Sequence, residues 1–128
     1  MNIKHEARIL ILDNETESRE AMRLLLSEHF TEVEAADSYK DAISKIEQGS
    51  FDVVISNFKV DGKNGLELRK WQLAHQPSCQ FILITGYSND PEIVEHLKTD
   101  HFKVLQKPAH PNELIFPLKR DFPKKEAA

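Results

Sequence analysis

The chain has 128 residues, 40% of them hydrophobic and 30% charged, with a formal net charge of -4. That length suits one domain with one core, and the acidic balance excludes a global basic surface for nucleic acid. No apolar run reaches membrane-spanning length and the opening residues MNIKHEARIL lack a signal-peptide pattern, so the expected compartment is the cytoplasm.

The first run, ARILILD from Ala7 to Asp13, is continuously apolar up to its closing acid and reads as a strand. After DNETESRE, Ala21, Met22, Leu25 and Leu26 fall on one helical face. TEVEAA, which alternates Val33 and Ala35 with acids, is a second strand. Tyr39, Ala42, Ile43 and Ile46 share a face after Asp37-Ser38, and Gly49 supplies a stop. FDVVISN, from Phe51 to Asn57, is a third strand that ends on an amide before a polar loop. Leu68, Trp71 and Ala74 mark a third helix, ended by Pro77. FILITG supplies the fourth strand, and DPEIVEHLK a helix with Asp90 as cap and Pro91 at its first position. KVLQ is the fifth strand. HPNELIFPLKRDF is the last helix, with Pro111 at its start and Glu113 placed for a capping interaction. Pro117 lies inside that helix, costs about 3 kcal/mol there and is expected to kink or shorten it.

Five β-α units of this kind predict an α/β fold: a doubly wound, flavodoxin-like (βα)5 sheet of five parallel strands in the order 2-1-3-4-5. Runs such as ILIL, VVIS and FILI fit strands covered on both faces. The domain is expected over residues 1–122, with 123–128 a short tail or the start of a linker. In such a sheet the site lies beyond the carboxyl ends of the strands. Those ends carry Asp13 and Asn14, then Asn57, then Thr85 and Gly86, then Lys107, expected in one shallow pocket. No Gly-rich phosphate fingerprint follows the first strand, which disfavours a dinucleotide fold. Cys79 is alone and reads as a small buried hydrophobe. The six histidines sit on different predicted elements without ligand spacing, so they read as solvated or half-buried side chains. Lys119, Arg120, Lys124 and Lys125 read as a solvated helix end suited to the helix dipole, or as a tail leading to an output domain.

ILILDNE, FDVVISNFKVDGKNGLEL and ILITGYSNDPEIVEHLKTDHFKVLQKP, in that order and spacing, resemble the receiver domain of two-component response regulators. The resemblance covers Ala7 to about Phe122 and runs in step with receivers of nitrogen-regulation-type activators. It implies that Asn57 stands at the phosphoacceptor position, where the family has aspartate. The two metal-binding acids fall on Asp13 and Asn14, so only the first is retained. Asp61 replaces a loop proline and reads as a solvated loop residue. Thr85 matches the switch hydroxyl and Lys107 the phosphate-binding lysine, while the switch aromatic falls on Val104. Asp100-His101 replaces a Gly-Ala pair and, with Pro117, implies an altered surface of the last helix. Lys107-Pro108 resembles the family's Lys-Pro step, which is often cis.

The substitutions decide the expected chemistry. Acyl-phosphate formation needs a carboxylate nucleophile, and an amide nitrogen delocalised into its carbonyl does not serve. Mg²⁺ prefers carboxylates that offset its dehydration, and Asp13 with two amides holds it weakly at best. No metal and no cofactor are therefore expected, and Lys107 is expected to satisfy Asp13 directly and close the site. The resulting expectation is a degenerate receiver, not an enzyme, that acts as a protein-interaction module in phosphorelay signalling and regulates transcription. Its partner would be another protein or an output domain, with homodimerisation through the last helix and strand as one form. Direct nucleic-acid or membrane binding is not expected. The alternatives are a phosphorylatable receiver carrying an engineered Asn57, and a small flavodoxin-like enzyme or nucleotide binder. The second is disfavoured by the missing Gly-rich loop and the lack of a nucleophile-base pair.

Overall fold

The computed structural model describes residues 3–60 and 63–124, with Lys63 described in its backbone alone. Asp61 lies outside the described residues. Numbering the five strands of the main sheet, the order is β1 (His5–Leu12), α1 (Thr16–Ser27), β2 (Phe30–Ala36), α2 (Tyr39–Gln48) and β3 (Val53–Asn57). It continues with α3 (Gly65–His75), β4 (Gln80–Thr85), α4 (Pro91–His96), β5 (Lys103–Gln106) and α5 (Asn112–Asp121). A short antiparallel pair, Lys59–Val60 with Lys63–Asn64, joins β3 to α3. All neighbours in the main sheet are parallel, in the order 2-1-3-4-5.

Because successive side chains of a strand point to opposite faces, each continuous apolar run feeds two cores. Leu10, Leu12, Val54, Phe81 and Leu83 meet Ala42, Ile46, Leu68 and Ile93 from α2, α3 and α4. Ile9, Ile11, Val53, Ile55, Ile82 and Ile84 meet Leu26, Leu114, Ile115 and Leu118 from α1 and α5. The edge strand β2 keeps Glu32 and Glu34 beside Arg8, at 2.6 and 3.5 Å.

The helix starts follow their caps. Ser38 accepts from the Asp41 N–H at 3.1 Å, Asn64 from Glu67 at 3.1 Å, and Asp90 from Glu92 at 2.9 Å. Glu113 reaches back to accept the His110 N–H at 2.9 Å, the capping role its position predicts. Pro117 does not shorten α5, which runs on through it to Asp121. A proline at 117 removes the donor that would have met the Glu113 carbonyl. That carbonyl instead lies 3.5 Å from the Lys103 ammonium on β5.

Two helical faces depart from the expected ones. Leu26 is buried, but Ala21 is exposed. On α3 the buried residues are Gly65, Leu66, Leu68, Arg69 and Gln72, while Trp71 is half-buried and Ala74 exposed. Trp71 stacks on His75 with ring centroids 4.0 Å apart. An arginine and a glutamine take inward positions that an apolar pattern assigns to Trp71 and Ala74.

Candidate functional site

Register brings the strand ends into one row. Leu12 pairs with Ser56, Asn57 with Ile84, and Thr85 with Gln106. Asp13, Asn57 and Lys107 each stand at or just past those pairs, and the Lys107 N–H donates to the Thr85 carbonyl at 2.8 Å. The Lys107-Pro108 peptide bond is cis, as the resemblance implies.

The side chains do less together than their positions allow. Asp13 is 4% exposed, and its Oδ1 accepts the Glu15 N–H at 2.9 Å, which sets the chain turning into α1. Its carbonyl accepts from Arg19 at 3.0 Å. Asn14 is exposed and Asn57 half-buried. Lys107 is exposed and makes no ion pair with a described residue, so the expected closure of the site by Lys107 on Asp13 does not occur. With one N–H already on Asp13 and open water around Lys107, a solvated ammonium loses nothing by staying out. It lies instead beside a groove of about 350 Å³ between α1 and α5, with Met22, Pro108 and Leu114.

The donor set does not suit a divalent cation. Asp13 offers one carboxylate already engaged by a backbone N–H, and the neighbouring positions offer neutral amides. Among the described residues no group of three His, Cys, Asp or Glu side chains is arranged to hold a metal.

Close packing fixes the end of β3. A Cβ on Gly65 would lie 2.6 Å from the Asn57 carbonyl oxygen, 2.8 Å from Leu83 Cδ1 and 2.9 Å from Ser56 Oγ. The Gly65 N–H donates to the Phe58 carbonyl. Only a residue without a side chain lets α3 start this close to the strand end.

A family model for the response regulator receiver domain matches residues 9–119. The chain belongs to the response regulator receiver family. Transcriptional regulatory protein ResD of Bacillus subtilis is 22% identical over 119 residues, covering 93% of this chain and 49% of ResD. Transcriptional regulatory protein FixJ of Bradyrhizobium diazoefficiens is 27% identical over 112 residues, covering 85% of this chain and 53% of FixJ. The receiver thus spans about half the length of these relatives. A CheY-like receiver domain protein from Methanospirillum hungatei superimposes with a TM-score of 0.81 at 27% identity, covering 94% of each chain. Receivers act in two-component signalling, and these curated relatives are transcriptional regulators.

In this receiver Thr85 and the start of the following loop are held by local bonds. Thr85 is 3% exposed and its Oγ1 accepts the Tyr87 N–H at 2.9 Å. Gln106, which the sequence reading passed over, accepts from Ser88 N–H at 3.0 Å and donates to the Gly86 carbonyl at 2.6 Å. The first half of the β4–α4 loop, Gly86 to Ser88, is thereby tied to the sheet. Val104 packs half-buried on the α2–α3–α4 side. Phe102, two residues earlier, joins the same core, and its ring meets Phe81 edge-on at 5.5 Å and His96 at 5.7 Å.

Of the Asp100-His101 pair, Asp100 turns inward, while His101 is exposed and lines a cavity with Pro117, Leu118 and Arg120 of α5. Arg69 of α3 is 6% exposed and donates to both Asp100 carboxylate oxygens, at 2.8 and 2.9 Å. It also donates to Gln72 Oε1 at 2.8 Å, and its guanidinium lies 5.6 and 5.7 Å from the Phe81 and Phe102 rings. Gln72 passes the chain on to the Gln76 and Cys79 carbonyls, and Gln76 to those of Ile46 and Gly49. The α4–β5 loop, α3 and the end of α2 are thus one hydrogen-bonded unit. The Arg69 guanidinium holds the Asp100 carboxyl below its ordinary range, against the upward push of burial. Cys79 beside it is buried and its thiol is pushed up to about 12, chiefly by burial, so it is an inert core residue. Asp100 with Arg69 thirty-one residues away carries no local signature, which is why the sequence reading missed the pair.

Proposed function

We propose that this receiver is a pseudo-receiver: an interaction module of two-component signalling that takes no phosphoryl group at Asn57. The observation that carries the reading is an amide at the end of β3, half-buried beside a single buried carboxylate. An amide offers no nucleophile, and one carboxylate gives Mg²⁺ little to offset its hydration. The tied first half of the β4–α4 loop and the Arg69–Asp100 link support a surface kept in one state without phosphorylation. Val94 on α4 and Phe116 on α5, 48% and 63% exposed, are available there to a protein partner, an output domain or a second copy. The transcriptional relatives, matched over about half their length, make regulation of transcription the fitting output.

Intact mass after incubation with acetyl phosphate and millimolar Mg²⁺ tests the reading. No adduct is expected on the unaltered chain. The Asn14→Asp, Asn57→Asp variant should take one phosphoryl group, because Lys107 and Thr85 are already in the row. An adduct on the unaltered chain would overturn the proposal.

A further inference from the structure

The amino end of the strands, opposite the end that carries Asn57, is locally basic. There a cleft of about 850 Å³ opens between the start of β1, the end of α1 and the end of α5. Lys4, Lys119 and Lys124 stand around it, with His5 and His29 in its wall. Among the described lining residues Glu28 alone is acidic. In a chain of net charge -4 this is a local inversion of sign.

The three ammonium groups are not spent on neighbours. The ion pairs of the described residues form at Arg8, Arg23, Arg69, His96, Lys98 and Arg120, and none involves Lys4, Lys119 or Lys124. The backbone around them is fixed. His5 N–H donates to the His29 carbonyl at 2.8 Å, and Lys124 forms a β-bridge with His5. His5 Nδ1 lies 2.6 Å from the Phe122 carbonyl. A carbonyl only accepts, so Nδ1 carries the proton and Nε2 is the nitrogen that can gain one. One wall is apolar, with Ile3 and Leu24 50% and 58% exposed. The electrostatics agree: burial and then Lys119 lower the His29 pKa, with smaller contributions from His5 and Lys124, against Glu28, which raises it.

We infer that this cleft binds a small phosphorylated molecule, its phosphates on Lys4, Lys119 and Lys124 and an apolar portion against Ile3 and Leu24. Preformed backbone, unpaired cations and an apolar wall are the parts such a ligand requires, and the volume suits a small molecule. The inference does not depend on Asn57 or on the pseudo-receiver reading.

The test uses ATP, inorganic triphosphate and adenosine as probes, followed by NMR of the histidine rings and by calorimetry. Triphosphate and ATP should shift the His5 and His29 signals and raise the His29 titration point, since an anion favours imidazolium. Binding should strengthen as pH falls through that range, with Lys119, His5, Lys124 and Glu28 the charges facing the ring. ATP should bind more tightly than triphosphate, because only ATP reaches the apolar wall. Lys119→Glu with Lys124→Glu should weaken ATP about tenfold or more. Lys70→Glu, on exposed α3 surface, should leave binding unchanged. Both variants alter exposed or half-exposed residues, so circular dichroism should show an intact fold. Equal weakening by Lys70→Glu would make the binding diffuse and overturn the site. Adenosine binding as well as ATP, or no histidine response to either phosphate probe, would also overturn it. So would a single-stranded oligonucleotide that binds these residues and is not displaced by ATP.

Discussion

Asparagine and aspartate share a shape and differ in charge, so under the proposed reading Asn57 packs the strand end as an aspartate would without offering a carboxylate nucleophile. The consequence for stability is separable from that for chemistry. Adding carboxylates at positions 14 and 57 beside Asp13 gathers three like charges, and each raises the cost of ionising the others. The Asn14→Asp, Asn57→Asp variant should therefore melt below the unaltered chain without metal. Mg²⁺ that binds only its folded state should raise the melting temperature with concentration. Thermal melts across a Mg²⁺ series check both halves, and the unaltered chain should show no such rise. Gly65 gives a sharper test of the same corner. A methyl group there meets the Asn57 carbonyl at 2.6 Å, and backbone cannot swing aside as a flexible side chain could. Gly65→Ala should cost about 1–3 kcal/mol in urea unfolding. It should also shift the backbone resonances of Asn57; a variant as stable as the parent would refute the crowding.

At the scale of elements, what was legible in the sequence was whatever rests on neighbours along the chain. Strand runs, the Ser38 and Asp90 caps, the Glu113 reach-back and the strand order all follow from local pattern and right-handed crossovers. What failed rests on tertiary partners. Pro117 breaks a local rule, yet α5 continues through it to Asp121, with Lys103 from β5 standing at the freed Glu113 carbonyl. Arg69 and Gln72 were hidden on α3 because an inward arginine is intelligible only with Asp100 in view. The strand-end residues were legible as a row and not as a bonded cluster, since a solvated Lys107 leaves no trace in sequence. The α5 account predicts that Pro117→Ala stabilises the domain by about 1 kcal/mol, less than the full cost of a helical proline because part of it is already offset. Hydrogen exchange should then show a protected amide at position 117. Lys103→Ala in the Pro117 background should lose less than about 1 kcal/mol, as expected of an exposed contact.

For the whole molecule, the Arg69–Asp100 link decides how stability responds to acid. The folded Asp100 carboxyl ionises below its ordinary value of 3.8, because Arg69 bonds the charged form more than burial opposes it. A depressed carboxylate contributes stability that is present above the unfolded value and is lost as pH falls through the folded one. His29 acts in the same direction at higher pH. Its folded pKa lies below 6.5, so the unfolded chain takes up that proton first and stability falls as pH drops through this range. The two windows can be told apart by mutation. Asp100→Ala leaves the buried Arg69 charge without its carboxylate and should cost about 3 kcal/mol at pH 7, read by urea unfolding. Below the folded Asp100 pKa the parent has lost the same charge pair, so the gap between parent and variant should narrow. Replacing both partners, Arg69→Met with Asp100→Leu, removes the unpaired charge and should recover most of the loss at pH 7. An Asp100→Ala penalty that stays constant as pH is lowered from 7 through the whole acid limb would assign the effect to packing alone.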